Sequence, residues 1–155
     1  MNRSLKIAAI IMLVVSAIGF LDATYLTIEH YRGEVPFCTI EGCKAVLTSR
    51  QAEIMGAPVA LLGAVYYLVI LILVIAYLDR QNQSVLRFAT LTTIVGLVAS
   101  AYFVSLQLFV IKSICQYCMI SAGTSTLLFI TGMYARLNLN SSASARSGSV
   151  EGVRD

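Results

Sequence analysis

The sequence predicts an all-α membrane protein, a four-transmembrane-helix bundle with a cysteine-bearing loop on its outer face. Three observations predict it. Hydrophobic residues make up 58% of the 155 positions. Charged residues make up 12%, against about a quarter in soluble domains. Mean hydropathy is +0.82, and separate windows at 7–28, 59–78, 88–111 and 114–133 each reach the roughly 20 apolar residues that a spanning helix needs. A chain of this make-up lacks the polar material for a hydrated surface, and a lipid bilayer is the solvent that suits it.

The first window follows Arg3 and Lys6, a pattern that secretory signals share. Cleavage would have to fall near Leu21-Asp22-Ala23, a poor small-x-small match, and the apolar run continues through Tyr25, Leu26 and Ile28. The window is therefore read as a retained helix, with Asp22 its only acidic or basic residue. Residues 29–57 form a long polar loop, and Gly56 and Pro58 bring the chain into the second span, with Pro58 suited to the first turn. The last three windows contain no Asp, Glu, Lys or Arg. Gly63 and Gly96 are expected to let helices approach closely. Only Lys112-Ser113 links the third span to the fourth. Beyond Met133 the chain turns to Asn, Ser, Ala, Arg and Gly, so a single domain over 1–137 is followed by an expected disordered tail over 138–155.

Basic residues near the span ends set the expected orientation. Arg3, Lys6, Arg80, Arg87, Arg136, Arg146 and Arg154 fall on one side, predicted to be cytoplasmic together with both termini. The long loop carries Arg32, Lys44 and Arg50, accompanied by Glu29, Glu34, Glu41 and Glu53, and is predicted to face outward with Lys112. The net charge of +3 is spread out, with no basic run of the kind that tracks a phosphate backbone, so nucleic acid is not an expected partner.

This orientation puts all four cysteines on the outer side, next to an oxidising space. Cys38 and Cys43 lie in the loop, and Cys115-Gln116-Tyr117-Cys118 opens the fourth helix. Unpaired amides and the macrodipole at a helix start favour an anion, and a thiolate placed there is the attacking species of disulfide exchange. The geometry gives Cys115 exchange with the loop pair and turns Cys118 toward a ligand in the bundle. Two other readings fit the same count. One is a non-catalytic scaffold with structural disulfides Cys38–Cys43 and Cys115–Cys118. The other is a four-cysteine zinc site, disfavoured because one pair begins a membrane helix without polar supporting groups; no metal is expected. A transporter would place polar groups near the bilayer midplane, and these spans offer few.

Taken together, several short motifs resemble the bacterial vitamin K epoxide reductase family, in its short form without a fused thioredoxin-like domain. They are Tyr25-Leu26-Thr27, His30-Tyr31, Gly42-Cys43, Leu47-Thr48-Ser49-Arg50, Gly56-Ala57-Pro58, Leu61-Leu62-Gly63, Tyr66-Tyr67, and Cys115 to Cys118 with Ser121. They cover most of residues 20 to 125. The DsbB-type quinone reductases also combine four spans with two cysteine pairs, but in that family the Cys-x-x-Cys lies in the first outer loop, the reverse of the order here.

The resemblance implies a thiol:quinone oxidoreductase of the bacterial inner membrane. In that pattern Cys38 and Cys43 look like the shuttle pair that exchanges with a DsbA-like, thioredoxin-like periplasmic oxidase, supporting disulfide formation in secreted proteins. Cys43 would pass electrons to Cys115, and Cys118 would meet the quinone. Ser49 matches a loop serine close to the active cysteines, and Tyr66, Tyr67 and Gly63 are expected quinone contacts. The vertebrate enzymes hold substrate oxygens with an Asn and a Tyr where this chain has Val59 and Ala122. Neither side chain donates a hydrogen bond, which favours ubiquinone or menaquinone over a vitamin K epoxide.

Three further expectations concern polar and aromatic residues. Asp22 is an ionisable group within a membrane helix, where function is the default reading, although a loop group near the outer end could solvate it. His30 is expected to serve at the interface or as a cap. Tyr31, Tyr66 and Tyr67 could line a ligand site or anchor the helices at the membrane boundary. Gly42 is expected to give the shuttle segment backbone freedom.

Overall fold

The computed structural model describes residues 3–34, 36–38 and 42–151, with side chains described as far as residue 139 apart from Gln51. Four helices among them are long and apolar enough to cross a membrane. They belong to α1 (Arg3–Arg32), α3 (Val59–Arg80), α4 (Gln83–Ser105) and α5 (Gln116–Glu151). The short α2 (Gly42–Leu47) lies in the loop between α1 and α3. At 1.5 Å per residue, the 30 residues of α1 reach about 45 Å, enough to cross a hydrocarbon core with a turn or two left at each end.

The long helices form a closed ring. α1 packs on α3 and α5, while α4 packs on α5 and α3. Met12 of α1, Ile70, Val74 and Tyr77 of α3, Leu86 of α4 and Leu128 of α5 fill its centre. Only 11–33% of each apolar window is buried inside the bundle. Large apolar side chains such as Ile72, Phe88, Val95 and Leu127 therefore point outward, where lipid is the medium that accepts them. With lipid outside, hydrophobicity alone does not hold such helices together, and polar contacts between them gain weight. The Thr90 hydroxyl on α4 donates to the carbonyl oxygens of Leu86, at 3.0 Å, and Gly132, at 3.2 Å.

Helix ends follow local chemistry. Gln81 takes the left-handed conformation after α3, and the Asn82 side chain accepts the Ser84 N–H at 2.9 Å, so two residues suffice to reverse the chain into α4. The outer loop is more ordered than a plain polar linker. It contains α2, one turn of 3₁₀-helix at Arg50–Ala52, and a two-stranded hairpin pairing β1 (Glu53–Ile54) with β2 (Ala57–Pro58). Met55 and Gly56, both at positive φ, make the two-residue turn.

Four expectations change. Pro58 stands just before α3, as its N-cap, instead of inside the first turn. The third span does not stay α-helical to its end: Leu106–Ile111 widen into a π-helix that closes on Lys112 in the left-handed conformation. A methyl group at Gly63 would sit 3.6 Å from the Ala23 Cβ, an ordinary contact, so close helix approach does not require glycine there. Finally, the expected disordered tail is helical as far as Glu151, and Leu139 is buried in the bundle core. Residues 138–151 contain no proline to stop the helix. The last part of the expected tail, 152–155, lies outside the described residues.

Candidate active site

The outer ends of α4 and α5 are built around Gln107. In the π-helical turn its carbonyl oxygen accepts the N–H groups of Lys112 and, at 3.1 Å, Ser113. Its buried side-chain oxygen accepts the Cys115 N–H at 2.9 Å. Cys115 is thereby held immediately before α5, and its carbonyl oxygen accepts the first helical bond, from Met119 at 3.1 Å. That is an N-cap position, from which a side chain faces the free amides of the first turn.

α2 brings the loop cysteines to the same place. Cys38 and Cys43 form a disulfide, and Cys43 lies at its inner end, fully buried with its Sγ 3.6 Å from the Sγ of Cys115. Gly42 makes this approach possible. A Cβ at Gly42 would fall 2.7 Å from the Ile114 carbonyl oxygen and 2.8 Å from the Ile114 nitrogen, and backbone atoms have no side-chain freedom to yield. The role of Gly42 is therefore close contact, in place of the expected backbone freedom. On the other flank the Tyr117 hydroxyl donates to the Phe37 carbonyl oxygen at 2.7 Å, tying the chain beside Cys38 to the start of α5. The His30 ring, at the end of α1, meets Glu53 of the hairpin at 3.2 Å, fastening the loop over the bundle.

Cys115 and Cys118 are both thiols. The arrangement is thus not the pair of closed disulfides that a static scaffold requires. A hydrogen bond from the Cys118 side chain, helped by the N–H groups of Cys118 and Tyr117 and opposed by burial, brings the Cys115 thiol down to a pKa of about 7.

Below the sulfur cluster lies a cavity of about 440 Å³ between α1, α3, α4 and α5, with loop residues from Val46 to Ile54 contributing to its wall. Cys118, Asp22, Tyr66 and Gly96 line it, and so do Val59 and Ala122. Its walls are chiefly aliphatic and aromatic, as in sites for apolar small molecules. Gly96 leaves room for the Tyr66 hydroxyl, which a Cβ there would strike. That hydroxyl is buried near the Ser125 side chain without a hydrogen bond of full geometry among the described residues, so the cavity offers a weakly engaged donor. Gly63 also lines the cavity.

Tyr67 differs from its neighbour. Its hydroxyl is engaged by Ser121 O at 2.8 Å and Thr124 Oγ1 at 2.7 Å, with the Ser121 and Ser125 hydroxyls also in reach, so it clamps α3 to α5. Ser49 lines the cavity too, but its hydroxyl donates to the Val46 carbonyl oxygen at 2.6 Å and not to a cysteine. Val46 packs with Cys43 and Cys115, so the Ser49 hydroxyl is joined to the sulfur cluster only through the end of α2. Sequence reasoning missed Gln107 and the tether from Tyr117. A glutamine in an otherwise uncharged apolar span was the available signal for the first; nothing in the sequence marks the partner of the second.

The sequence model of the Vitamin K epoxide reductase family matches residues 10–133, and the chain belongs to that family. Among curated proteins it is similar to the thiol-disulfide oxidoreductase LTO1 of Arabidopsis thaliana, with 33% identity over 120 residues. That match takes in 70% of this chain and 31% of the plant protein, so the chain spans about a third of its relative's length.

Proposed function

We propose that the protein is a membrane thiol:quinone oxidoreductase that reoxidises a DsbA-like, thioredoxin-like periplasmic disulfide donor. The observation that carries this reading is the 3.6 Å approach of Cys43 to Cys115. It joins a loop disulfide to an inner dithiol whose second sulfur, Cys118, borders the apolar cavity. Family membership and the likeness to a thiol-disulfide oxidoreductase support it.

The chemistry is a series of sulfur-for-sulfur displacements, each passing through a mixed disulfide. A reduced partner donates to Cys38–Cys43 and leaves that pair as a dithiol. The Cys43 thiolate attacks Cys115 of the oxidised inner pair and expels Cys118. Cys38 then attacks Cys43 and releases Cys115, so the loop pair is closed and the inner pair is reduced. That is the oxidation pattern of the structure. The low pKa of Cys115 favours this release, because a more acidic thiol leaves faster.

The cavity suits a quinone: it is lined chiefly by aliphatic and aromatic groups, lies beside Cys118, and holds the weakly engaged Tyr66 hydroxyl to donate to a carbonyl oxygen. Acceptance of two electrons and two protons is the chemistry that a quinone bound there supplies. Because Val59 and Ala122 contribute no donors to the wall, the reading favours ubiquinone or menaquinone over a vitamin K epoxide. The positive-inside pattern supports both termini on the cytoplasmic side and the cysteines on the opposite one, and the resemblance to the bacterial short form supports an inner-membrane setting.

The test is quinol formation by detergent-purified protein supplied with a reduced thioredoxin-like donor. Turnover is expected with the wild type and lost in Cys115→Ser and Cys118→Ser. The Cys38→Ser and Cys43→Ser variants should lose turnover with the protein donor but keep part of it with a small dithiol. Absence of quinol from the wild type with either donor would refute the reading.

A further inference from the structure

Most groups that face the cavity beneath the sulfur cluster are apolar, and most of the polar ones are engaged with neighbours. Asp22 stands apart. It lies within the apolar part of α1, and its side chain lines the same cavity as Cys118. One carboxylate oxygen, Oδ2, is fully buried and has no hydrogen-bond partner among the described residues. Burying such an atom unpaired is costly, and no Lys or Arg among the described residues lines the cavity with it. Packing alone would be served better by Leu or Met at this point.

The other titratable groups lining the cavity are His30 on α1, Tyr66 and Tyr67 on α3, and Cys118 on α5; the stretch of α4 that faces it supplies none. Tyr67 is saturated by the hydroxyls of α5, and His30 is turned to Glu53 on the hairpin. Asp22 lies within electrostatic reach of both inner thiols. Asp22 is thus the lining group whose side-chain oxygen stands without a partner and within reach of the thiols, and a carboxylate placed so can accept a proton from a thiol and pass it on.

We propose that Asp22 is the proton relay between the inner dithiol and the electron acceptor in the cavity. The inference rests on the quinone reading above and assigns the residue that moves the proton in it. The balance is complete without a further reactant. Oxidation of the Cys115–Cys118 dithiol forms one S–S bond and breaks two S–H bonds. Its two electrons go to the quinone, and its two protons end on the quinol oxygens. Asp22 accepts the proton that Cys118 loses and returns it to the oxygen being reduced, so that the carboxyl ends each cycle as it began. General acid–base groups of this kind contribute about 10²–10⁴-fold.

The experiment follows quinol formation from a short-chain ubiquinone, with dithiothreitol as the dithiol, in wild type, Asp22→Asn and Asp22→Glu. Redox-induced infrared difference spectra of the same proteins are recorded alongside. The Asn variant is expected to slow quinol formation about 100-fold while dithiothreitol still reduces Cys38–Cys43 and the Tm in detergent, which reports the fold, stays near that of the wild type. Asp22→Glu, which keeps the carboxyl, is expected to recover much of the rate. The wild type should show a carboxyl band that changes with redox state and disappears in Asp22→Asn, a signature that a purely structural role would not produce. Turnover of Asp22→Asn at the wild-type rate, a Glu variant as slow as the Asn variant, or a carboxyl band that persists without Asp22 would each overturn the relay. In the first of these cases the wild type still makes quinol and the quinone reading stands; a wild type that makes none would sink both.

Discussion

Cys115 is useful to the protein because of where its backbone sits. As the residue before α5 it faces the open amides of the first turn, and the Cys118 thiol adds a hydrogen bond. Those interactions stabilise the thiolate more than burial opposes it, which is why the pKa falls to about 7. The sign of the pH effect follows: above pH 7 the sulfur is mostly thiolate, and below it the reactive form is lost to protonation. Alkylation of Cys115, read by mass spectrometry of the labelled peptide, is expected to be nearly flat above pH 7. It should drop about tenfold for each unit below. An unperturbed cysteine would already be losing rate at pH 8, since its pKa is about 8.5. The cysteines themselves were legible from spacing and sidedness. Gln107 was not, because its role depends on a π-helical turn that places its side chain under the Cys115 N–H. Hydropathy carries no information about such a turn.

One element brings the sulfurs together, and a second holds the bundle beneath them. α2 lies against the backbone at Ile114, and Gly42 is the point of contact. Gly42→Ala is expected to push α2 away and slow thiol exchange between Cys43 and Cys115 at least tenfold, since displacing reacting groups by about 1 Å costs on the order of 10²-fold. Stopped-flow reduction of the inner pair by a reduced thioredoxin-like protein, which enters through the loop pair, would measure it. The second element is α3, which Tyr67 clamps to α5. Tyr67→Phe removes those hydrogen bonds and leaves the ring in place. It should lower stability by about 1–2 kcal/mol, seen as a lower Tm in detergent, with the cysteine chemistry preserved. The expectation that Tyr66 and Tyr67 contact a ligand thus divides: Tyr66 keeps a weakly engaged hydroxyl in the cavity, while the Tyr67 hydroxyl is bound to the helix partner. Sequence position could not separate these neighbours, because adjacent residues on a helix point about 100° apart and only the packing tells which way each turns.

On the scale of the molecule, an apolar exterior and a small polar seam of Thr, Ser and Tyr hydroxyls hold four helices around one cavity. Hydropathy made the four spans legible, since the cost of backbone polar groups in lipid leaves a chain like this few alternatives to helices. The order within the outer loop and the helix that runs on to Glu151 were not legible, because polar composition alone does not distinguish a short helix or hairpin from coil. What unites the parts is one line of sulfur from the loop to the cavity: Cys38, Cys43, Cys115 and Cys118.

That line is tested most directly by removing its resolving cysteine. In Cys38→Ser, Cys43 can attack the inner disulfide but no second loop thiol displaces it again, so only an added dithiol resolves the mixed disulfide, and slowly. Peptide mapping of this variant after brief treatment with a small dithiol is predicted to recover Cys43 bonded to Cys115, with Cys118 as a free thiol. Recovery of Cys43 bonded to Cys118 instead, or of an untouched Cys115–Cys118 disulfide beside a free Cys43, would contradict the relay.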